Sequence, residues 1–202
     1  MFICFAILAF IFMMFVKYTN SRDKHKSEDF LERESKANST RKQSLDNLDY
    51  ITIPIDSLPF YENATGEILR CQNVILSLSE KRIVNLSEKT NTDLKLEYGA
   101  ANLASLTEYD NNFAELTNTI VKWAAALTDE GHEEDAVRVL EYGIQCNTDV
   151  SSNYLILANY YASKGDIRKI RTLRTRAMLL HTLMKDKIIS KLDDLIYDLS
   201  QI

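Results

Sequence analysis

The residues of this chain able to ligate a metal, act as a nucleophile or move a proton are few and scattered. The histidines are His25, His132 and His181, and the cysteines are Cys4, Cys71 and Cys146. No CxxC or comparable ligand spacing occurs among them, and none is paired with a nucleophile. His181 falls at the end of an expected helix, where an imidazole complements the helix dipole. Glu133-Glu134 falls at a helix start and Asp193-Asp194 on a solvated helix face. General acid–base chemistry needs carboxylates converging on one pocket, and neighbours along one helix diverge. Phosphate-binding glycine loops, GxSxG elbows and HExxH pairs do not occur. The expectation is therefore a protein that is not an enzyme, with no catalytic residue, cofactor, metal or small-molecule substrate.

Composition narrows the class further. Hydrophobic residues make up 46% of the 202, enough for a core, while Gly (5) and Pro (2) are too scarce for the many turns of an all-β chain. The net charge of −5 argues against a nucleic-acid partner. Reduced thiols are expected, with Cys4 in an apolar run and the other two in or near a core.

Elements able to position a binding surface emerge along the chain. Residues 1–16, MFICFAILAFIFMMFV, carry no polar or charged side chain. As a helix they would span about 24 Å, extended slightly by snorkelling of Lys17, so they are read as a single-pass transmembrane anchor. The run lacks the basic start and small-residue cleavage site of a signal peptide. Lys17, Arg22, Lys24 and Lys26 follow it, which predicts a C-terminal body on the cytoplasmic side of a cell membrane.

Residues 17–46 hold eight Lys/Arg and six Asp/Glu with few apolar side chains, a charged stalk unable to bury a core. Residues 47–61, NLDYITIPIDSLPFY, contain both prolines, and Ile51, Ile53 and Ile55 alternate with Thr52, Pro54 and Asp56. This predicts an extended apolar strap along the body, with occupation of the body's own groove as the sharper alternative.

Residues 62–202 lack proline and show helical spacing, so the fold class expected is all-α, an antiparallel helical-hairpin solenoid behind the anchor. Helices are expected over Thr65–Glu80, from a Thr92 cap to about Thr107, from an Asp110 cap to about Glu130, and over 132–146, 151–164, 166–181 and 185–200. Inward faces are Ile68, Leu69, Gln72, Ile75 and Leu76 in the first and Leu94, Tyr98, Ala101 and Leu106 in the second.

Gly131 and Gly165 stand 34 residues apart, and aligning them matches Trp123 with Leu157, Ala124 with Ala158, Leu127 with Tyr161, Ala136 with Ile170 and Gly143 with Ala177. The small residues permit close helix approach and the glycines a positive-φ turn. At these positions the chain resembles the tetratricopeptide repeat family, over units of about 117–150 and 151–182, with 185–200 as a capping helix. It departs from that pattern at Thr148 and Thr182, where proline is usual, and at Glu133 and Arg174, usually apolar or aromatic. The whole chain is also similar to a type of bacterial single-pass, membrane-anchored protein, a resemblance that implies no function.

The repeat resemblance implies a protein-binding groove lined by Asn118, Val121, Ala125 and Thr128, then by Ser152, Leu155, Asn159 and Ala162. Asn159 is suited to bonding a ligand backbone through both amide atoms. Leu155 stands where carboxylate-gripping relatives carry lysine, so the expected partner is an extended or helical protein segment held without a carboxylate clamp. The function expected is a membrane-anchored adaptor or scaffold. The alternative is a structural or assembly component of a membrane complex that self-associates.

Overall fold

The computed structural model describes residues 13–14 and 27–201, and among them every regular element is helical, with no strand. No helix of these residues is long and apolar enough to cross a membrane. The expected anchor lies outside the described residues, apart from Met13 and Met14. Of the expected stalk, residues 17–26 also lie outside them.

The chain divides into two compact units. The first joins residues 27–45 to residues 90–103. Helix α1, described over 27–39, and α3 (Asn91–Tyr98) are linked by a polar seam. The Arg33 guanidinium donates to Asp93 at 2.6 Å. Glu34 accepts from Lys95 and, at 2.7 Å, from the Thr92 hydroxyl. Lys95 also donates to the Asn38 side chain at 2.9 Å. Beyond α1 the chain stays attached, with Gln43 N–H donating to Tyr98 C=O at 2.9 Å and the Asn102 amide donating to Gln43 C=O at 2.7 Å. Ala37 and Leu94 are the buried apolar pair of this unit. Residues 27–45 of the charged segment therefore pair with the α3 stretch, a partner their own composition does not reveal.

Helix α3 differs from its expected form. Its cap is Thr90, which forms a reciprocal capping box with Asp93, and Thr92 turns to Glu34 instead. The helix stops at Gly99, whose φ of +88° and close approach to Arg41 C=O, 2.6 Å from where a Cβ would stand, admit no other residue comfortably. A single 3-10 turn, Ala100–Asn102, follows. Ala101 is exposed rather than inward.

The second unit holds residues 46–89 and 104–202. It contains the 47–61 segment, α2 (Gly66–Ser79), α4 (Leu103–Asp129, which starts at the unit boundary), α5 (Glu133–Gln145), α6 (Ser151–Ser163), α7 (Ile167–Met178) and α8 (Lys185–Ser200). Asp110, expected as a cap, lies inside α4 and accepts from Leu86 N–H at 3.1 Å. In α2, Ile68, Gln72 and Ile75 are buried as expected, with Cys71 and Leu78 beside them. Leu69 and Leu76 are each 43% exposed, so the inward face is rotated from the expected one.

Helical periodicity explains the core. Leu116, Ile120, Trp123 and Leu127 form one fully buried face of α4, and Tyr154, Leu157, Ala158 and Tyr161 the buried face of α6. Helix α5 contributes Ala136, Val139 and Leu140, α7 Ile170, Leu173 and Ala177, and α8 Ile188 and Leu192. Successive helices α5 to α8 pack on their neighbours, and α8 lies against both α6 and α7.

The hairpin turns repeat in detail. Gly131 has φ +84° and is followed by His132 N–H donating to Leu127 C=O at 2.8 Å. Gly165 has φ +69° and is followed by Asp166 N–H donating to Tyr161 C=O at 2.9 Å. Both are six-residue helix-ending turns closed by a left-handed glycine, and the backbone bonds that close one recur 34 residues on in the other.

Candidate functional site

The two columns named by the sequence sit on the sides of α4 and α6 turned from each helix's buried face. On α4, Asn118, Ala125 and Thr128 are exposed and Val121 is half-buried. Asn118 and Thr128 bond back to their own helix, at Ala114 C=O (2.8 Å) and Ala124 C=O (2.9 Å). On α6, Ser152 and Asn159 are exposed while Leu155 and Ala162 are half-buried. The α4 column is thus the more exposed, but its two polar side chains are committed to their own backbone, whereas the α6 column keeps an exposed amide at Asn159.

The spacing between these helices is set at Gly143 on α5. A Cβ there would stand 2.3 Å from Asn153 Oδ1 on α6 and 3.2 Å from Ile120 on α4. Asn153 is fully buried, and its Nδ2 donates to Leu140 C=O at 2.9 Å. Thr148, where the resembled family has proline, is also fully buried, and its hydroxyl accepts from Val150 N–H at 3.1 Å, just before α6 begins. Proline could not make that bond.

The strap is fixed to other surfaces. Ile51 N–H donates to Ile83 C=O at 2.9 Å, and Tyr142 reaches Thr52 C=O at 3.4 Å. Pro59 C=O accepts from Gln72 at 3.5 Å. The Phe60 ring lies 5.2 Å from Trp123, centroid to centroid, and Tyr61 lies 5.1 Å from His132 while its hydroxyl donates to Asp135. Burial, reinforced by the Asp135 carboxylate, pushes the Tyr61 phenol up to about 12. Ile53 and Leu58 are buried beneath. None of these partners belongs to the eight groove positions, so the strap serves as packing against α2, α4 and α5.

A cleft absent from the sequence reading opens on the other side of α6. It encloses about 380 Å³ between α5, α6 and α7. Leu157 and Leu173 form apolar walls, and Glu141, Tyr161, Lys169 and Arg176 are among its polar groups. The Tyr161 hydroxyl donates to Glu141 at 2.5 Å, and Lys169 lies 4.6 Å over the Tyr161 ring and 3.4 Å from Glu141. Burial and the Glu141 carboxylate raise the Tyr161 pKa, so it stays a neutral donor. No local spacing joins Glu141 to Lys169, which is why sequence reading missed the triad.

Cys71 and Cys146 are free and buried, and burial raises both thiols, that of Cys146 to about 11. Such thiols are poor nucleophiles. Among the described residues no three His, Cys, Asp or Glu side chains gather as metal ligands. Among the described residues the chain is all-α, and helices α5 to α8 of its second unit pack on their neighbours in turn. No family model, no curated protein and no solved structure matches this chain.

Proposed function

We propose that this protein is an adaptor: residues 1–16 hold it in a membrane, and a tetratricopeptide-like hairpin stack recruits a protein segment. The observation that carries this reading is the uncommitted amide of Asn159 on α6. Asn159 is exposed, and its amide makes no hydrogen bond among the described residues, while Leu155 and Ala162 remain only half-buried beside it. An amide committed to nothing internal is free to bond a partner's backbone, and the flanking apolar atoms favour an uncharged segment. The 34-residue recurrence of the glycine turn supports the repeat reading.

The test is capture of partners from membrane extract by the full chain in detergent, beside the same chain carrying Leu155→Arg and Asn159→Ala. Partners held by the native chain and lost by the variant support the reading. Identical capture by both overturns the groove assignment.

A second reading, a self-associating structural component, is favoured by Phe30 and Leu31, which are 58% and 62% exposed on α1. Sedimentation of the full chain and of its Phe30→Ser/Leu31→Ser variant separates the two. An oligomer that dissociates in the variant supports self-association.

A further inference from the structure

The net charge of −5 conceals a strong segregation. Between residues 168 and 187 lie Arg168, Lys169, Arg171, Arg174, Arg176, Lys185 and Lys187, against the single acidic residue Asp186. Helix α7 contains no acid at all. Its buried face is Ile170, Leu173 and Ala177, and the opposite face presents Arg168, Arg171, Thr172, Thr175 and Arg176 to solvent. Two cations of this stretch are taken up internally, Lys169 by Glu141 and Arg174 by Asp193. Arg168, Arg171 and Arg176 make no ion pair among the described residues.

The same face ends in exposed apolar side chains, of which Met178 is touched at its sulfur by Arg174 at 3.3 Å. Leu179, eleven residues or about three turns beyond Arg168, continues the Arg168–Thr172–Arg176 column and is 62% exposed. Met178 beside it is 48% exposed, and Leu183, in the turn to α8, is fully exposed at 101%. Lys185 and Lys187 follow directly. A leucine standing clear of the surface on a turn is a convex feature. A protein partner would need a matching pocket, whereas a bilayer accepts a protruding apolar tip wherever it lands. Cations beside such a tip complement anionic head groups.

We propose that the outer face of α7 and the α7–α8 turn form a bilayer-contact surface, with Leu179 and Leu183 entering the interface and Arg168, Arg171 and Arg176 engaging anionic lipid phosphates. This contact is separate from the α6 column and from the apolar run 1–16. It would lay α7 along the membrane plane.

The sole native tryptophan, Trp123, is fully buried, which leaves a clean background for an added probe. The full chain carrying Leu183→Trp is reconstituted into vesicles of phosphatidylcholine, or of phosphatidylcholine with phosphatidylglycerol, each prepared with brominated acyl chains. The native chain is subtracted, and circular dichroism checks folding. The expected result is quenching of the residue-183 emission in anionic vesicles, weakened by high salt and lost on adding Arg168→Glu, Arg171→Glu and Arg176→Glu, exposed positions whose reversal breaks no internal pair. Unquenched emission in anionic vesicles overturns the proposal. So does equal quenching in neutral vesicles that survives charge reversal. A response to soluble polyglutamate but not to anionic vesicles also overturns it, assigning the face to an acidic protein segment.

Discussion

Arg174 on α7 and Asp193 on α8 meet through two hydrogen bonds, one of them from Nη2 to Oδ2 at 3.1 Å. Arg174 is a position where the resembled repeat pattern is apolar, and Asp193 is a residue the sequence places outward. Each departure is the other's explanation, since together they tie the terminal helix to the stack. Nearby Asp193 keeps the Arg174 guanidinium firmly charged. Both side chains remain partly exposed, at 35% and 46%, so solvent screens the pair. Arg174→Ala is expected to lower the melting temperature by no more than roughly 2–4 °C. Arg174→Asp with Asp193→Arg should recover part of that loss. Thermal melts of the four chains measure the coupling, and additive losses would show that the pair does no structural work.

Gly143 separates α4 from α6 by what it lacks. Gly143→Ala places a Cβ against Asn153 Oδ1 and Ile120, and is expected to cost roughly 1–3 kcal/mol by overpacking. Asn153→Ala removes a buried hydrogen bond to Leu140 but also the clashing atom. Its cost should therefore be smaller in the Gly143→Ala background than in the native chain. Denaturant unfolding of the four-member cycle tests this, and equal costs in both backgrounds would refute the steric account.

Phe60 is the strap's aromatic contact with Trp123, whose own burial is complete. Phe60→Ala should destabilise the protein by roughly 1–3 kcal/mol and shift the tryptophan emission to the red as water reaches the indole. Unchanged emission with unchanged stability would mean that the strap is not held there.

The first unit should be acid-sensitive. Lys95, with Thr92, holds the Glu34 carboxyl below its ordinary value of 4.5, and Thr90, with Arg33, holds that of Asp93 below 3.8. Lowered folded values mean stabilisation that is complete above the ordinary values and lost as pH falls through the folded ones. Hydrogen exchange of α1 and α3 amides should accelerate as pH drops from about 5 to about 3, after correction for intrinsic exchange, and Glu34→Gln should flatten the dependence. Unaltered dependence in that variant would remove Glu34 from the account.

Legibility in the sequence followed the range of the forces involved. Helices α5 to α8 were readable to within three residues at each end, because their apolar periodicity and the Gly131 and Gly165 turns are local signals. The stretch around α3 was misread because its decisive partners are distant. Thr92 was taken by Glu34, Asp110 by the Leu86 amide, and Gly99 is pressed against Arg41. The positions expected to line a groove fall within α4 and α6, because helical spacing is a local signal. The cleft at Glu141, Tyr161 and Lys169 was not legible, since it depends on side chains brought together from α5, α6 and α7.

The matched turns at Gly131 and Gly165 make the intervening stretch an interchangeable length of chain. A second copy of residues 132–165 spliced after Gly165 would meet the same closing bond at each junction, and the array would lengthen by one hairpin. Nothing similar holds one helix later. Asn147 ends α5 with φ +55°, whereas 34 residues on the chain turns without a left-handed residue into α8, which Arg174 and Asp193 fasten in place. Residues 132–165 are thus bounded by two equivalent turns, whereas the passage into α8 is held by a side-chain pair that has no counterpart 34 residues earlier.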